Sequence, residues 1–131
     1  MSHQRSLEQN RAQFAWDKIT AVKNRNKDFA QKYGQLARSA AAEVQANGLA
    51  QTLAFWKAKG KGNPQDEHQV IYQDVSAWVS KQMKISGAKG LLEWIVDQGT
   101  TTNQYRQATA EAMAFLLWLK RFAEAELSEE K

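Results

Sequence analysis

The chain has 131 residues, a net charge of +4, five tryptophans, one proline and no cysteine. That length predicts a single domain over residues 1–131, and the missing cysteine excludes disulfides and thiolate metal sites and suits the reducing cytoplasm. No apolar signal-peptide core opens the chain and no apolar run reaches the ~18–20 residues of a membrane span, so a soluble, cytoplasmic protein without a membrane partner is expected.

Ser6-Leu7-Glu8-Gln9 has the form of a capping box, with Ser6 and Gln9 able to bond each other's backbone N–H. It opens a first helix expected to run to about Gln31, with Ala15, Ile19, Val22 and Phe29 on one face. Tyr33-Gly34 reads as a break. Leu36, Ala37, Ala40, Ala41 and Val44 then form a narrow stripe whose small side chains admit a close neighbour. Asn47-Gly48 reads as a helix end. Leu49, Leu53 and Trp56 restart a helix that gives way to Lys57-Ala58-Lys59-Gly60-Lys61-Gly62-Asn63-Pro64, the one clear loop.

A fourth helix is expected from about Asp66 to Met83, with Ile71, Val75, Trp78 and Val79 inward. Gly87 and Gly90 bracket a short connection. Leu91, Leu92, Ile95 and Val96 make a short helix ended by Gly99, and Thr100-Thr101-Thr102-Asn103 supplies the next cap. Tyr105, Ala108, Ala112, Phe115, Leu116, Leu119 and Ala123 set the helical period of the last segment. Residues 1–5 and 125–131 are expected to fray. No alternating strand pattern occurs, so the fold class is all-α: a compact bundle of about six helices.

Charge is unevenly spread. Residues 1–62 hold eleven Lys/Arg against four Asp/Glu, a net +7, and residues 63–131 hold seven against ten, a net −3. This division suits a polyanion on one side and neighbouring copies meeting plus to minus, or else two solvated faces.

Catalytic patterns are missing. The histidines are His3 and His68, and His68 stands beside Asp66 and Glu67 at a helix start, where acids favour the helix dipole. That trio is an incomplete metal set. Gly60-Lys61-Gly62 lacks the spacing of a phosphate loop. Asp17, Asp28, Asp74 and Asp97 fall on separate segments and are expected at the surface or at helix ends. No catalytic residue, cofactor or metal is therefore expected.

Basic residues mixed with aromatics remain. Arg11, Lys18 and Arg25 recur every seven residues, which places them on one stripe of the expected first helix, and Lys57, Lys59 and Lys61 form a second cluster. Both are candidate contacts for nucleic-acid phosphates, which the resemblance given below would make those of RNA. Trp16, Trp56, Trp78, Trp94 and Trp118 are expected mostly in the core, although exposed aromatics can stack on bases. A helix-turn-helix about Asn47-Gly48 is disfavoured, because Leu49 to Trp56 is apolar on most sides and a reading helix needs a polar outer face.

Three stretches together resemble a known family. Asn47-Gly48-Leu49-Ala50-Gln51-Thr52-Leu53-Ala54-Phe55 is similar to an Asn-Gly-Leu…Leu-Ala-Phe signature. The last helix from Tyr105-Arg106-Gln107-Ala108 through Phe115-Leu116 to Trp118-Leu119-Lys120-Arg121-Phe122-Ala123 resembles the same family's closing segment. So does the region from Arg11 to Ala15-Trp16. The family is the small helical subunit, Cmr5, of the type III-B CRISPR RNA-guided Cmr effector complex. Members often carry Leu-Pro where Ala40-Ala41 stand here. The resemblance implies a non-catalytic subunit that stacks with copies of itself as an inner filament. Its implied partners are the backbone and large Cmr subunits, the guide-RNA-containing complex and the target RNA. A stand-alone helical adaptor that binds only protein is the alternative.

Overall fold

The computed structural model describes residues 4–85 and 90–127. Its helices are α1 (Leu7–Lys23), α2 (Lys27–Asn47), α3 (Leu49–Gly60), α4 (Glu67–Met83), α5 (Leu91–Val96) and α6 (Thr102–Glu126). No strand occurs among the described residues, so the all-α class and the number of helices are as expected.

Local chemistry sets most helix ends. The Gln9 N–H donates to the Ser6 hydroxyl while the Ser6 N–H donates to the Gln9 side chain, which completes the capping box. Thr101 and Gln104 repeat the arrangement at the start of α6. Asp66 caps α4 by accepting from the His68 N–H at 2.8 Å. Gly48 joins α2 to α3 with φ 86°, a conformation that a side chain disfavours.

Three boundaries depart from expectation. The chain turns at Asn24-Arg25-Asn26 rather than at Tyr33-Gly34, because Asn26 accepts from the Phe29 N–H at 2.8 Å and starts a new helix. Gly34 instead lies buried within α2, where an added Cβ would stand 3.3 Å from Leu127 Cβ. The end of the described chain also departs from expectation: α6 continues to Glu126 and Leu127 is buried, where fraying was expected from residue 125. The third departure is α3, which continues through Lys57 and Lys59 to Gly60. Only glycine fits at that end, since a Cβ on Gly60 would come within 2.6 Å of the Gln69 N atom of α4. Gly87 lies outside the described residues.

The core is one continuous cluster. Trp56, Trp78, Tyr33 and Phe115 are its largest buried side chains. Phe14 from α1 rests on Trp78 and Phe115, with ring centroids 5.2 and 5.8 Å away. Large side chains buried in this way contribute roughly 1.5–3 kcal/mol each. The most extensive helix contact joins α2 to α6, and Ala37, Ala40, Ala41, Ala108, Ala112 and Ala123 are buried on those two helices. Small residues allow such close approach. The Ala40-Ala41 pair lies well inside α2. Among the described residues no helix is long and apolar enough to cross a membrane.

Candidate nucleic-acid interface

The two basic clusters named from the sequence meet different fates. Arg11 sits on α1 beside its apolar face and reaches across to α6. Its Nε and Nη2 donate to Glu111 Oε2 and Oε1 at 2.6 and 2.9 Å, and Trp78 Nε1 donates to the same Oε2 at 2.7 Å. The forked geometry suits a guanidinium and a carboxylate. It joins α1, α4 and α6 at one point. Burial opposes the Glu111 charge, but the bonds from Arg11 and Trp78 outweigh it and hold the carboxyl below its ordinary pKa. The Glu111 hydrogen bond likewise raises the pKa of Arg11.

Lys18 lies two turns further along α1, with Nζ 3.9 Å from Asp74 Oδ1 and 4.8 Å from the Phe14 ring centroid. Asp74, expected at the surface, is buried in α4 and accepts from the Tyr33 hydroxyl at 2.7 Å. Burial is the dominant influence and pushes its pKa up to about 6, against the opposing pull of Tyr33 and Lys18. Tyr33 is raised well above its ordinary value by burial and by the neighbouring carboxylate.

Arg25 does not continue the stripe, because α1 ends at Lys23. It occupies the α1–α2 junction with its guanidinium 3.6 Å over the Phe29 ring. Its Nη2 donates to the Pro64 carbonyl and Gln65 Oε1 at 2.9 and 3.0 Å. The expected straight line of three cations is therefore absent, and Arg25 is brought instead to the loop that follows Lys61. Lys23 completes the pattern with a 2.7 Å bond to Glu126. Glu111, Asp74 and Glu126 of the acidic half thus all meet cations of the basic half within one molecule.

Lys57, Lys59 and Lys61 are exposed, and none forms an ion pair among the described residues. Lys57 has Nζ 6.0 Å from the Tyr72 ring centroid. Lys57 and Lys59 occupy the last turn of α3, where cations complement the helix dipole. Lys61 follows in the left-handed conformation, φ 52° and ψ 32°. For a residue with a Cβ that costs roughly 1–2 kcal/mol.

His68 Nδ1 stands 3.0 Å from Asp66 Oδ1 and 3.7 Å from Glu67 Oε2. Burial opposes the Asp66 charge, yet its bonds with His68 lower the pKa. The three side chains could offer a metal three ligand atoms within 4.8 Å of one another, all from a single helix start. His3 lies outside the described residues.

The tryptophans divide. Trp56 and Trp78 are core, Trp94 and Trp118 are half-buried, and Trp16 is 41% exposed. Trp16 meets Phe122 edge-on at 5.1 Å, and Phe122 rests on Trp118 at 5.4 Å, with Leu117 exposed nearby on α6. Phe55, within a stretch expected to be apolar on most sides, is 52% exposed and meets His68 edge-on at 6.1 Å.

The buried Asp74 and the part-buried Glu111 were missed in the sequence although a signal was present. Asp74 stands with Ile71, Val75 and Trp78, and Glu111 with Ala108, Ala112 and Phe115. Each acid fills the i+3 place of an apolar helical face. A carboxylate in that register needs a partner from another helix.

The family model for the CRISPR-associated protein Cas_Cmr5 matches residues 7–126. The match spans every helix from α1 to α6. The chain therefore belongs to the Cas_Cmr5 family, the small subunits of the type III-B CRISPR Cmr system.

Proposed function

We propose that this protein is a non-catalytic, architectural subunit of an RNA-guided, RNA-targeting Cmr effector complex in the cytoplasm. It stacks with copies of itself in the inner filament, contacts the backbone and large subunits, and steadies target RNA through its phosphates. The observation that carries the RNA contact is the set Lys57, Lys59 and Lys61, three exposed ammonium groups without a carboxylate partner among the described residues. An ammonium that is not tied internally is available to a phosphate, and such binding tolerates any base sequence. Lys61 strengthens the reading because it occupies a backbone conformation better suited to glycine.

Of the other candidate cations, Lys18 is about a third exposed (35%) and supplies longer-range attraction, whereas Arg11 and Arg25 act by holding helices and loop in place. Reversing Arg11 would set a carboxylate against Glu111 and would test the fold rather than RNA. The direct test is Lys57→Ala with Lys59→Ala and Lys61→Ala. Three lost phosphate contacts should flatten the log–log salt dependence of single-stranded RNA binding by about 2, at ~0.7 for each contact. The effect should appear in the full chain at low salt and, amplified by repetition along the filament, in the assembled complex. An unchanged slope in a complex that still assembles would sink the assignment.

The adaptor reading, protein contact alone, draws on the Trp16–Phe122–Trp118 ledge, since Trp is enriched where proteins meet. The same salt titration separates the two readings.

A further inference from the structure

Helix α3 carries Gln51, Phe55 and Lys59, spaced four residues apart, and Asn47 closes α2 just before it; none of the four is used in the core. Such a spacing advances about 6 Å along a helix at each step and turns only slightly, so the three α3 residues form one stripe, and Asn47 joins it from the end of α2 by lining the same groove as Gln51 and Phe55. The opposite face of α3 buries Leu49, Thr52, Leu53 and Trp56. Beside the stripe lies an open groove of about 490 Å³ lined by Glu43, Asn47, Gln51, Thr52 and Phe55.

The polar groups in that groove fall into two sets. Glu43 is occupied, accepting from the Ser39 hydroxyl at 2.9 Å and Trp56 Nε1 at 3.1 Å. Thr52 is occupied too, donating to backbone carbonyls of Glu43 and Gly48. The Asn47 and Gln51 amides make no side-chain hydrogen bond among the described residues. Each offers both a donor and an acceptor, and can rotate to suit either kind of partner. One exposed phenylalanine is ordinary on a protein surface. Here the ring borders a groove with two amides uncommitted among the described residues, and Lys59, unpaired among the same residues, stands one turn beyond it. Aromatic face, adaptable amide and cation are the three parts that hold single-stranded nucleic acid without reading its sequence.

We propose that this stripe is a subsite for single-stranded RNA. An unstacked base lies on the Phe55 ring, its edge meets the amide of Asn47 or Gln51, and the adjoining phosphate reaches Lys59 and Lys61. The His68 ring, edge-on to Phe55, fixes the aromatic plane. Asp66 and Glu67 next to His68 repel phosphate, so the backbone runs on the Lys59 side. This assignment rests on the phosphate contact proposed for the lysines, and it adds the base to it.

The test uses the full chain at low salt and two labelled RNAs of equal length, an oligoadenosine and an abasic oligomer. Three variants are compared with the unaltered protein: Phe55→Leu, Phe55→Tyr, and Lys59→Ala combined with Lys61→Ala. Phe55→Leu should weaken oligoadenosine binding about fivefold or more, the range expected for one lost stack. It should leave the salt slope and the abasic affinity unchanged, and Phe55→Tyr should bind as the unaltered protein does. The lysine variant should weaken both RNAs and flatten the slope. If Phe55→Leu binds oligoadenosine normally while the lysine variant is weak, the stacking site is wrong and the phosphate contact stands. If the lysine variant also binds normally, or the unaltered protein binds neither RNA, both assignments fall. Equal weakening of both RNAs by Phe55→Leu would overturn stacking in favour of a general effect on shape. Loss of complex assembly with RNA binding intact would give this face to a protein neighbour instead.

Discussion

On α1, Arg11 and Lys18 are directed at carboxylates of α6 and α4; at the end of α3, Lys57, Lys59 and Lys61 are directed at none among the described residues. Both groups belong to the same basic half of the chain, and composition does not separate them. The difference lies in their neighbours. Arg11 and Lys18 border a helical face that packs on two other helices, so their charges must be matched inside the molecule. The α3 lysines stand on the outer side of a helix end and in the turn after it, where water and any passing polyanion compete for them. Charge on α1 therefore contributes to folding, whereas charge at the end of α3 contributes little to it, and the left-handed backbone of Lys61 opposes it.

The largest expected effect is at the α1–α6 tie. Glu111→Ala removes the partner of a largely covered guanidinium and of the Trp78 N–H. It should destabilise the protein by roughly 3 kcal/mol, because a part-buried ion pair and the Trp78 N–H lose their shared partner together. For a chain of this length the melting temperature should fall by about 10 °C or more. Lys59→Ala should change stability by no more than about 0.5 kcal/mol in the same assay. Similar losses at the two sites would erase the contrast between them.

A second, smaller effect sharpens the α1 side. Asp74 has its pKa pushed up to about 6 by burial. The folded state therefore holds this proton more tightly than the unfolded chain does. Its contribution to stability falls as pH rises from about 4 to 6, and the penalty is complete above that range. Asp74→Asn keeps an acceptor for the Tyr33 hydroxyl and removes the charge. It should stabilise the protein by about 2–3 kcal/mol near pH 7.5, and by much less near pH 4. Urea unfolding at the two pH values measures this, and an equal effect at both would contradict the burial argument. Glu111 carries the opposite sign. Its lowered pKa gives stability that is present above the ordinary carboxyl range and is lost as pH falls through the folded value.

The smallest effect belongs to the loop. Lys61→Gly relieves a left-handed backbone at φ 52°. It should raise stability by about 1 kcal/mol, less any gain in unfolded-chain entropy. Under the proposed function it should weaken RNA binding at the same time. Opposite signs for stability and binding would mark Lys61 as kept for its charge. A loss of stability would show that the loop depends on its side chain.

The Ser6 capping box, the cap within Thr100-Thr101-Thr102-Asn103 and the apolar periods of α4 and α6 were legible because all are local. A cap bonds within its own turn, and a helical face repeats within one segment. The first helix break was misplaced because Tyr33-Gly34 and Asn24-Arg25-Asn26 both carry breaker residues. The Asn26 side chain, which caps α2, marks the break actually used, and Gly34 lies buried within that helix. The RNA-facing candidates were legible only as residue types, since spacing of seven does not reveal where a helix stops.

By itself, then, the sequence determined an all-helical chain, its capped starts, its main apolar faces and its likeness to the Cmr small subunits. All of these depend on residues within a few turns of one another or on order along the chain. Only the tertiary structure decided which cations are spoken for. Arg11 and Glu111 lie a hundred positions apart, and Lys18 finds Asp74 only when α4 folds back beside α1. Pairing of charges is a property of distance in space, and a carboxylate within hydrogen-bond reach changes what an arginine can do for any other partner.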